Sequence, residues 1–316
     1  MPVWVVLLVT AFVAWLVLGS VLLRLGAGWV RNALGLCIIT IGLSMAWLIP
    51  EDLPWLRFLM LIPGFAVCGK TLEVCSGKLR DPEILDSAAQ SFMWLVVLPR
   101  AKWSEDPQVR RDARRDGIGV FGRAVAKALA FAGMIALNSA FDLHGQQWLS
   151  SLWMMFGLYF MFSAVVDLMT VPFRVVGMTV YEVFNAPPLA RSPRDFWSRR
   201  WNLWFTQMSN MLIFQPLGGA QRPLLGVSAV FVFSAVLHEY MTWVALTRPD
   251  GRMLAFFLIH GLATILTTLL GKRLGRRTLM PRWLAVLLHI AWMTVTAPLF
   301  FGPIEDAFAL STWRMW

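Results

Sequence analysis

Uninterrupted apolar runs of about 20 residues recur along this chain of 316 residues. A helical run of that length matches the hydrocarbon thickness of a bilayer, about 30 Å. Charged residues make up 15% of the sequence, whereas soluble domains carry about 25%. Because backbone polar groups inside a bilayer must be hydrogen-bonded internally, such runs fold as helices. The sequence therefore predicts an all-α, polytopic integral membrane protein.

The apolar runs also set the expected number of helices. A stretch at about 203–217 is apolar enough to enter the bilayer, so we expect about eight to ten transmembrane helices in one domain, 1–316. A shorter apolar stretch at about 92–98 cannot span, and we expect it on the membrane surface or against other helices. The eight clearest runs lie at about 3–23, 33–49, 56–74, 120–141, 149–171, 224–246, 254–270 and 283–301.

The basic residues predict an orientation. The formal net charge is +10, and Lys and Arg gather in the polar segments 76–117, 172–223 and 272–282. The positive-inside rule places these segments in the cytoplasm, so both termini are expected outside it. Topology accounts for the charge, and no nucleic-acid partner is expected. Arg exceeds Lys, which points to a GC-rich bacterial genome and hence to the bacterial inner membrane as the location.

Several chemistries lack support in the sequence. A GxSxG nucleophile elbow is absent. The histidines His144, His238, His260 and His289 are dispersed and form no HExxH pair. We therefore expect no serine-hydrolase elbow, no nucleotide-binding loop, no metal and no bound cofactor.

One ionisable pair interrupts an apolar run. His238 and Glu239 lie within the run at 224–246, and an ionisable residue inside a membrane is by default a functional-site hypothesis. A neutral, buried imidazole is a suitable general base, although a structural histidine bonded to a neighbouring helix fits equally well. Ser234 shares the face of His238, which suits an interhelical hydrogen bond or a nucleophile. Glu239 points about 100° away and is expected to orient the site or pair with a loop arginine.

A second polar cluster lies upstream, between residues 191 and 202. Its arginines are individually explained by the positive-inside rule and its tryptophans by an interfacial aromatic belt. Asp195 and Asn202 contribute nothing to membrane anchoring, however. The combination therefore favours a functional segment.

The two clusters resemble known motifs. Residues 191–202 read RSPRDFWSRRWN and resemble the S-x-x-D-F-W-x-R-R-W-N segment of plant-type wax synthases. Residues 233–240 read FSAVLHEY and are similar to their S-[AG]-x-x-H-E element, and also to the matching element of eukaryotic sterol and diacylglycerol acyltransferases. Residues 256–261, FFLIHG, are similar to a third element. All belong to the membrane-bound O-acyltransferase superfamily. The resemblance covers about 187–270, and the N-terminal half matches only in hydropathy.

The resemblance implies a fold, a reaction and residue roles. It implies a core of the superfamily type, with His238 and Asn202 as the catalytic pair. The donor would be acyl-CoA, as a co-substrate, or an acyl carrier protein, since a basic entrance suits phosphates or an acidic protein face. The acceptor would be a lipid alcohol, expected to be a long-chain alcohol, as in wax ester synthesis. Membrane lipids are also expected partners. The expected substrate-binding residues are Asp195, Trp197, Arg199, Arg200, Trp201, Ser234, Glu239 and His260.

Two alternatives remain open at this stage. The same chemistry would serve a sterol, diacylglycerol, glycan or secondary-metabolite hydroxyl instead of a long-chain alcohol. A non-enzyme alternative is a small lipid transporter in which His238 and Glu239 relay protons. The catalytic reading also carries a structural requirement. Asn202 must leave the membrane surface and enter the helical layer to share a site with His238.

The charge distribution gives a testable orientation. In bacteria, a periplasm-dependent phosphatase fused after Trp316 should be active, and the same reporter fused after Arg277 should be inactive, because the positive-inside rule keeps the basic segment 272–282 in the cytoplasm. Reporter activity is the measurement. The reverse pattern would reject the orientation.

Overall fold

The structure is a computed structural model that describes residues 2–79, 82–96, 101–141, 147–274 and 280–308. The sequence-based expectations for His144, Arg277 and Trp316 lie outside these residues.

Helices dominate the described chain. Eight of them are long and apolar enough to cross a membrane, which confirms the prediction of an all-α polytopic membrane protein. A two-residue antiparallel pair joins β1 (Ala101–Lys102) to β2 (Thr179–Val180). The α-helices are α1 (Val3–Arg24), α2 (Trp29–Ser44), α3 (Pro54–Cys75), α4 (Ala88–Val96), α5 (Pro107–Phe141), α6 (Gln147–Val175), α7 (Pro193–Arg199), α8 (Leu203–Ser209), α9 (Pro223–Leu246), α10 (Arg252–Leu274) and α11 (Arg282–Phe308).

Helix α5 begins at Pro107, well before the predicted start near residue 120. Proline suits the first turn of a helix, and the Asp106 carboxylate accepts a hydrogen bond from the Gln108 backbone N–H at 2.8 Å. The early turns are rich in charge, so hydropathy detects only the later, apolar part. The helix has 35 residues, about 52 Å at 1.5 Å per residue, so it extends beyond the bilayer at its basic end.

The two shorter apolar stretches are both helical. The stretch near 203–217 forms α8, followed by a π-helical turn at Asn210–Phe214. The stretch near 92–98 belongs to α4, which packs against α1 through a hydrogen bond from Trp15 Nε1 to the Leu95 carbonyl at 3.3 Å. The prediction that this stretch does not span is therefore correct for its described part.

Helices α3, α9, α10 and α11 surround the interior, with α7 packed against α10. Helices α5 and α6 form a separate hairpin that meets the rest mainly through α11. An ion pair within their apolar length joins the two: Lys127 Nζ lies 2.6 Å from Asp167 Oδ2 and donates to Ser163 Oγ at 2.6 Å. A charged group in a membrane is costly unless it is paired, so this contact fixes the register of the hairpin.

Two glycine spacings typical of phosphate-binding loops do occur in the sequence, GxxxxGKT at residues 64–71 and GxGxxG at residues 117–122. Both lie inside helices, α3 and α5 respectively, and neither follows a strand. The Lys70 ammonium, which a phosphate loop would need, instead donates to the Trp94 carbonyl. Neither spacing therefore has the strand–loop–helix context that a phosphate-binding loop requires.

Close packing of α2 on α3 generates a stability prediction. A Cβ added to Gly64 would lie 2.5 Å from the Gly42 carbonyl oxygen, so Gly64→Ala should force the helices apart. We expect a loss of about 1–3 kcal/mol, seen as a lower thermal unfolding midpoint in detergent. Gly119→Ala is the matched control, because Gly119 is helical and nothing lies within 4 Å of its added Cβ. Equal midpoints for the two variants would contradict the close approach.

Candidate active site

The segment 192–205 folds into two short helices by local capping. Ser192 is the N-cap of α7: its Oγ accepts a hydrogen bond from the Asp195 backbone N–H at 3.1 Å. Asn202 caps α8 in the same way, with Oδ1 accepting from the Phe205 N–H at 3.2 Å. Asn202 has a φ of 42°, a left-handed conformation that asparagine tolerates better than most residues. The chain therefore turns sharply at Asn202, and the side-chain oxygen of Asn202 is held against the first turn of α8.

A chain of hydrogen bonds fixes α7 in the interior. Trp197 Nε1–H donates to His260 Nδ1 at 3.1 Å, and His260 Nε2–H donates to Thr296 Oγ1 at 2.9 Å. The indole nitrogen is always a donor, so this arrangement requires the Nε2–H tautomer of His260. His260 is completely buried and both of its nitrogens are occupied. The residue therefore positions α7 between α10 and α11 and has no nitrogen left for a substrate.

Helix α7 lies within the helical layer, as the pairing of Asn202 with His238 requires. Trp197 packs edge-on against Phe231, with ring centroids 5.8 Å apart. Phe231 lies about 12 Å along α9 from Pro223, at 1.5 Å per residue. The segment that carries Asn202 therefore enters the helical layer and does not stay at its surface.

One ring nitrogen of His238 is hydrogen-bonded to the protein, and the other is not. Its Nδ1 lies 2.8 Å from the Ser234 carbonyl oxygen, so Nδ1 carries the proton and donates it. Nε2 forms no hydrogen bond to any part of the chain that the structure describes, and it is not among the sequestered polar atoms. The half-buried ring lies between Phe257, at 4.1 Å, and Phe300, at 6.3 Å. His238 thus presents an unprotonated nitrogen in an apolar setting.

His238 and Asn202 do not bond to each other directly. The Asn202 oxygen is used in capping α8, which leaves the two N–H groups of its amide as the outward donors. Helix α8 packs on α9 one turn before His238, where Phe205 stacks on Phe233 at 6.3 Å. The candidate base His238 and the Asn202 amide therefore belong to adjoining helices, and no hydrogen bond joins their side chains.

The neighbours of His238 have structural contacts. Ser234 contributes its backbone carbonyl, and not its hydroxyl, to the His238 bond. Glu239 was expected near the site or a loop arginine. Its Oε1 accepts instead from the backbone N–H groups of Asp250 at 2.7 Å and Gly251 at 2.6 Å, and its Oε2 from that of Leu254 at 3.2 Å. A carboxylate at a helix N-terminus is favourable, so Glu239 anchors the turn into α10.

The two arginines of the RRWN sequence have different environments. Arg200 Nε donates to Asp195 Oδ2 at 2.9 Å, and its NH1 group donates to the carbonyls of Asn185 and Ala186. Arg199 is exposed, and its side chain has no partner within the described ranges. Arg200 is therefore committed to the fold, whereas Arg199 is free to bind an anion.

Asp195 stays ionised in this arrangement. Burial acts to raise the pKa of Asp195, but hydrogen bonds from the Arg191 backbone N–H and the Arg200 guanidinium outweigh burial and hold the pKa below its usual value. The carboxylate therefore remains an acceptor at neutral pH and holds Arg200 in place.

An apolar cavity borders the same segment. Its volume is about 60 Å³, counted as the space open to the centres of water-sized spheres. Its walls come from α6, α7, α10 and α11, together with Pro187 and Pro188. Trp201 belongs to this wall and stacks on Phe196 at 5.5 Å. The lining side chains nearest to the sequence motifs are Phe196, Trp197, Trp201, Phe256, His289 and Phe300.

Sequence reasoning did not assign a role to His289. This histidine is 4% exposed and lines the cavity, 5.4 Å from Phe196 between ring centroids. Neither of its nitrogens has a hydrogen-bond partner in the described structure. A lone histidine in an apolar run has the same appearance in the sequence as His238, and only the location of the cavity separates the two.

No group of three or more His, Cys, Asp or Glu side chains able to hold a metal ion occurs among the residues that the structure describes. The polar groups without a protein partner in the described chain include the His238 Nε2, the Asn202 amide nitrogen, the His289 ring and the exposed arginines of α7. These features define a polytopic helical membrane protein with an intramembrane, histidine-centred site.

Comparison with known proteins gives a match to one family. Residues 180–259 match the model of the Membrane bound O-acyl transferase family. This range contains α7, α8, α9 and both candidate catalytic residues, in the order expected from the motifs. Over this range the chain is similar to the family, and the residues outside it are not matched by the family model.

Three relatives illustrate the likeness. An Arabidopsis thaliana acyl-CoA–sterol O-acyltransferase is 34% identical over 128 residues, 38% of this chain. A probable long-chain-alcohol O-fatty-acyltransferase of the same plant is 33% identical over 148 residues, 42% of this chain. The Simmondsia chinensis long-chain-alcohol O-fatty-acyltransferase is 25% identical over 241 residues, 72% of this chain. The matches span 37%, 42% and 67% of these relatives' own lengths, respectively.

Proposed function

We propose that this protein is a membrane-embedded O-acyltransferase that moves a fatty acyl group from an acyl thioester to the hydroxyl of a lipid acceptor, a long-chain alcohol. The donor is acyl-CoA or an acyl carrier protein. The observation that carries the proposal is the open Nε2 of His238, whose proton-bearing Nδ1 is held by the Ser234 carbonyl at 2.8 Å. The names of the relatives support this reaction class and this acceptor.

The hydrogen bond to Ser234 prepares His238 for general-base chemistry. With Nδ1–H fixed as the donor, the lone pair on Nε2 is the available proton acceptor. It takes the proton of the acceptor hydroxyl as the hydroxyl oxygen attacks the thioester carbon. The C–S bond then breaks, and the proton on Nε2 passes to the departing thiolate. The products are an ester and a free thiol, and His238 returns to its starting state.

Asn202 is the candidate donor to the oxyanion. When the hydroxyl attacks, negative charge develops on the thioester carbonyl oxygen, and a preorganised N–H donor stabilises it. The Asn202 oxygen is bonded to the Phe205 N–H, which turns the amide nitrogen outward as a donor. The two side chains have no direct bond, so the thioester would lie between them.

The α7 arginines suit the anionic part of the donor. Arg194 and Arg199 are exposed and their side chains have no partner among the described residues. Phosphates bind guanidinium groups strongly. We propose that this end of the molecule faces the cytoplasm, with both chain termini on the opposite side. The proposal that the protein lies in a bacterial inner membrane is supported by composition alone, because the relatives named above are plant proteins.

A sterol is the second candidate acceptor, since one relative is named a sterol O-acyltransferase. To distinguish the two acceptors, purified protein is supplied with palmitoyl-CoA and either hexadecanol or cholesterol. The ester that forms identifies the acceptor. Release of free thiol in an acceptor-dependent manner supports transfer, whereas a lipid transporter would release none.

The role of His238 gives a quantitative prediction. His238→Ala should lower kcat by about 10²- to 10⁴-fold, because general-base catalysis contributes that much. Asn202→Ala should cost a similar order, and the double variant little more, since residues that act as a unit are not additive. The measurement is thiol release by purified, folded protein.

Val236→Ala is the control, because Val236 lies on the exposed side of the same helix, with 58% of its surface accessible. It should keep near-normal turnover. Near-normal turnover of His238→Ala would reject the mechanism. His260 is unsuitable as a control because it supports Trp197.

The different environments of the two arginines give a paired prediction. Arg199→Ala should raise the donor KM with little change in kcat and in the unfolding midpoint, because the side chain is exposed and unpaired. Arg200→Ala should lower the unfolding midpoint, since it removes the guanidinium hydrogen bonds to the Asp195 carboxylate and to the carbonyls of Asn185 and Ala186. Kinetics and thermal unfolding on the same preparations test both. An unchanged donor KM for Arg199→Ala would contradict the assignment.

A further inference from the structure

The outer face of α5 changes from basic to apolar within three turns. Arg111, Arg114 and Arg115 are exposed near the start of the helix. Directly beyond them, Ile118 is 75% exposed and Phe121 is 50% exposed. At 3.6 residues per turn, these five side chains lie within about 120° of one another around the helix. The buried residues of the same turns lie on the other side, at Ala113, Gly117, Val120 and Ala124.

The three arginines have no partner in the part of the chain that the structure describes. Two carboxylates share their turns but bind elsewhere. Asp112 Oδ1 accepts a hydrogen bond from the Gln108 side chain at 3.1 Å, and Asp116 pairs with the buried guanidinium of Arg174. The outer face of α5 therefore carries a local excess of positive charge that no ion pair within the described chain neutralises.

The level of the membrane surface at this helix is marked by a tryptophan. The Trp103 ring lies 5.3 Å from the Arg110 guanidinium, and tryptophan is enriched at the boundary between water and hydrocarbon. From Ile118, the first strongly exposed apolar residue, the three arginines lie about 4.5 to 10 Å back along the helix, at 1.5 Å per residue. The headgroup layer of a bilayer is about 5–7 Å thick on each side. The guanidinium groups are therefore placed among lipid headgroups.

We propose that the outer face of α5 binds one anionic phospholipid, whose phosphate contacts the three arginines and whose acyl chain lies along Ile118 and Phe121. Guanidinium groups bind phosphate through charge-assisted hydrogen bonds, and apolar side chains at membrane depth pack against acyl chains. A soluble acidic protein could reach the arginines but not the apolar residues below them. A phospholipid presents both chemistries in the order in which the helix requires them.

The experiment measures lipid affinity by native mass spectrometry of the full chain, delipidated in a neutral detergent. The protein is titrated with palmitoyl-oleoyl phosphatidylglycerol, which is anionic, and with the zwitterionic phosphatidylcholine of the same chains. Each arginine near an anionic lipid contributes about fivefold in affinity, so the wild type should bind phosphatidylglycerol at least about 10-fold more tightly. Combining Arg111→Gln, Arg114→Gln and Arg115→Gln should reduce this preference to about twofold or less.

The matched control removes three positive charges elsewhere. Arg24, Arg248 and Arg282 are exposed and lie at three other places in the fold, so changing all three to Gln should leave the preference intact. An equal loss in this control would show an effect of net charge and overturn the site. A wild type without preference would also overturn it. Glycerophosphoglycerol, the headgroup without chains, should not displace the lipid. Displacement at equal concentration would assign the arginines to a soluble anion instead.

A measurement on the wild type makes the test independent of the variants, because arginines near a membrane also direct insertion. Phosphatidylglycerol with a photoreactive diazirine in one acyl chain is cross-linked to the protein, and the modified peptides are mapped. Cross-links should fall on α5 between residues 111 and 125, and excess phosphatidylglycerol should suppress them more effectively than phosphatidylcholine. Cross-links confined to other segments, or equal suppression by the two lipids, would overturn the proposal.

Discussion

The hydrogen bonds from Trp197 to His260 and from His260 to Thr296 hold the candidate site together. Helix α7 has seven residues, too few to be stable alone, so its position depends on neighbouring helices. The first bond attaches α7 to α10, and the second holds the same histidine against α11. The aromatic ring of Trp197 also packs against Phe231 and Phe257. The exposed arginines of α7, one wall of the cavity and the turn at Asn202 all follow from that attachment.

Much of the fold could be predicted from sequence, because the signal for a membrane span is local. Runs of apolar residues identified the eight long helices whichever helices they packed against. The start of α5 was wrong because its first turns are charged, and a helix that emerges into water keeps its backbone bonds while it loses its apolar signal. The sequence predicted that 203–217 enters the bilayer but not its form, which is the short helix α8 followed by a π-helical turn.

The residues of the candidate site were also only partly predictable from the sequence. His238 and Asn202 were found because each lies in a motif of contiguous residues. The separate roles of Arg199 and Arg200 depend on Asn185 and Ala186, which approach only in the folded chain. His289 and Thr296 lie on α11, and the cavity is closed by α6, so no pattern within one segment could have linked them to the site.

The hairpin of α5 and α6 is held by its own ion pair, Lys127 with Asp167, yet α6 provides Phe156 and Tyr159 to the cavity wall. The base, its carbonyl partner and the α7 attachment all belong to other helices. One wall of the apolar cavity is thus separable from the candidate catalytic residues. Substitutions on that face of α6 offer natural divergence, or directed evolution, a route to reshape the cavity while those residues stay untouched.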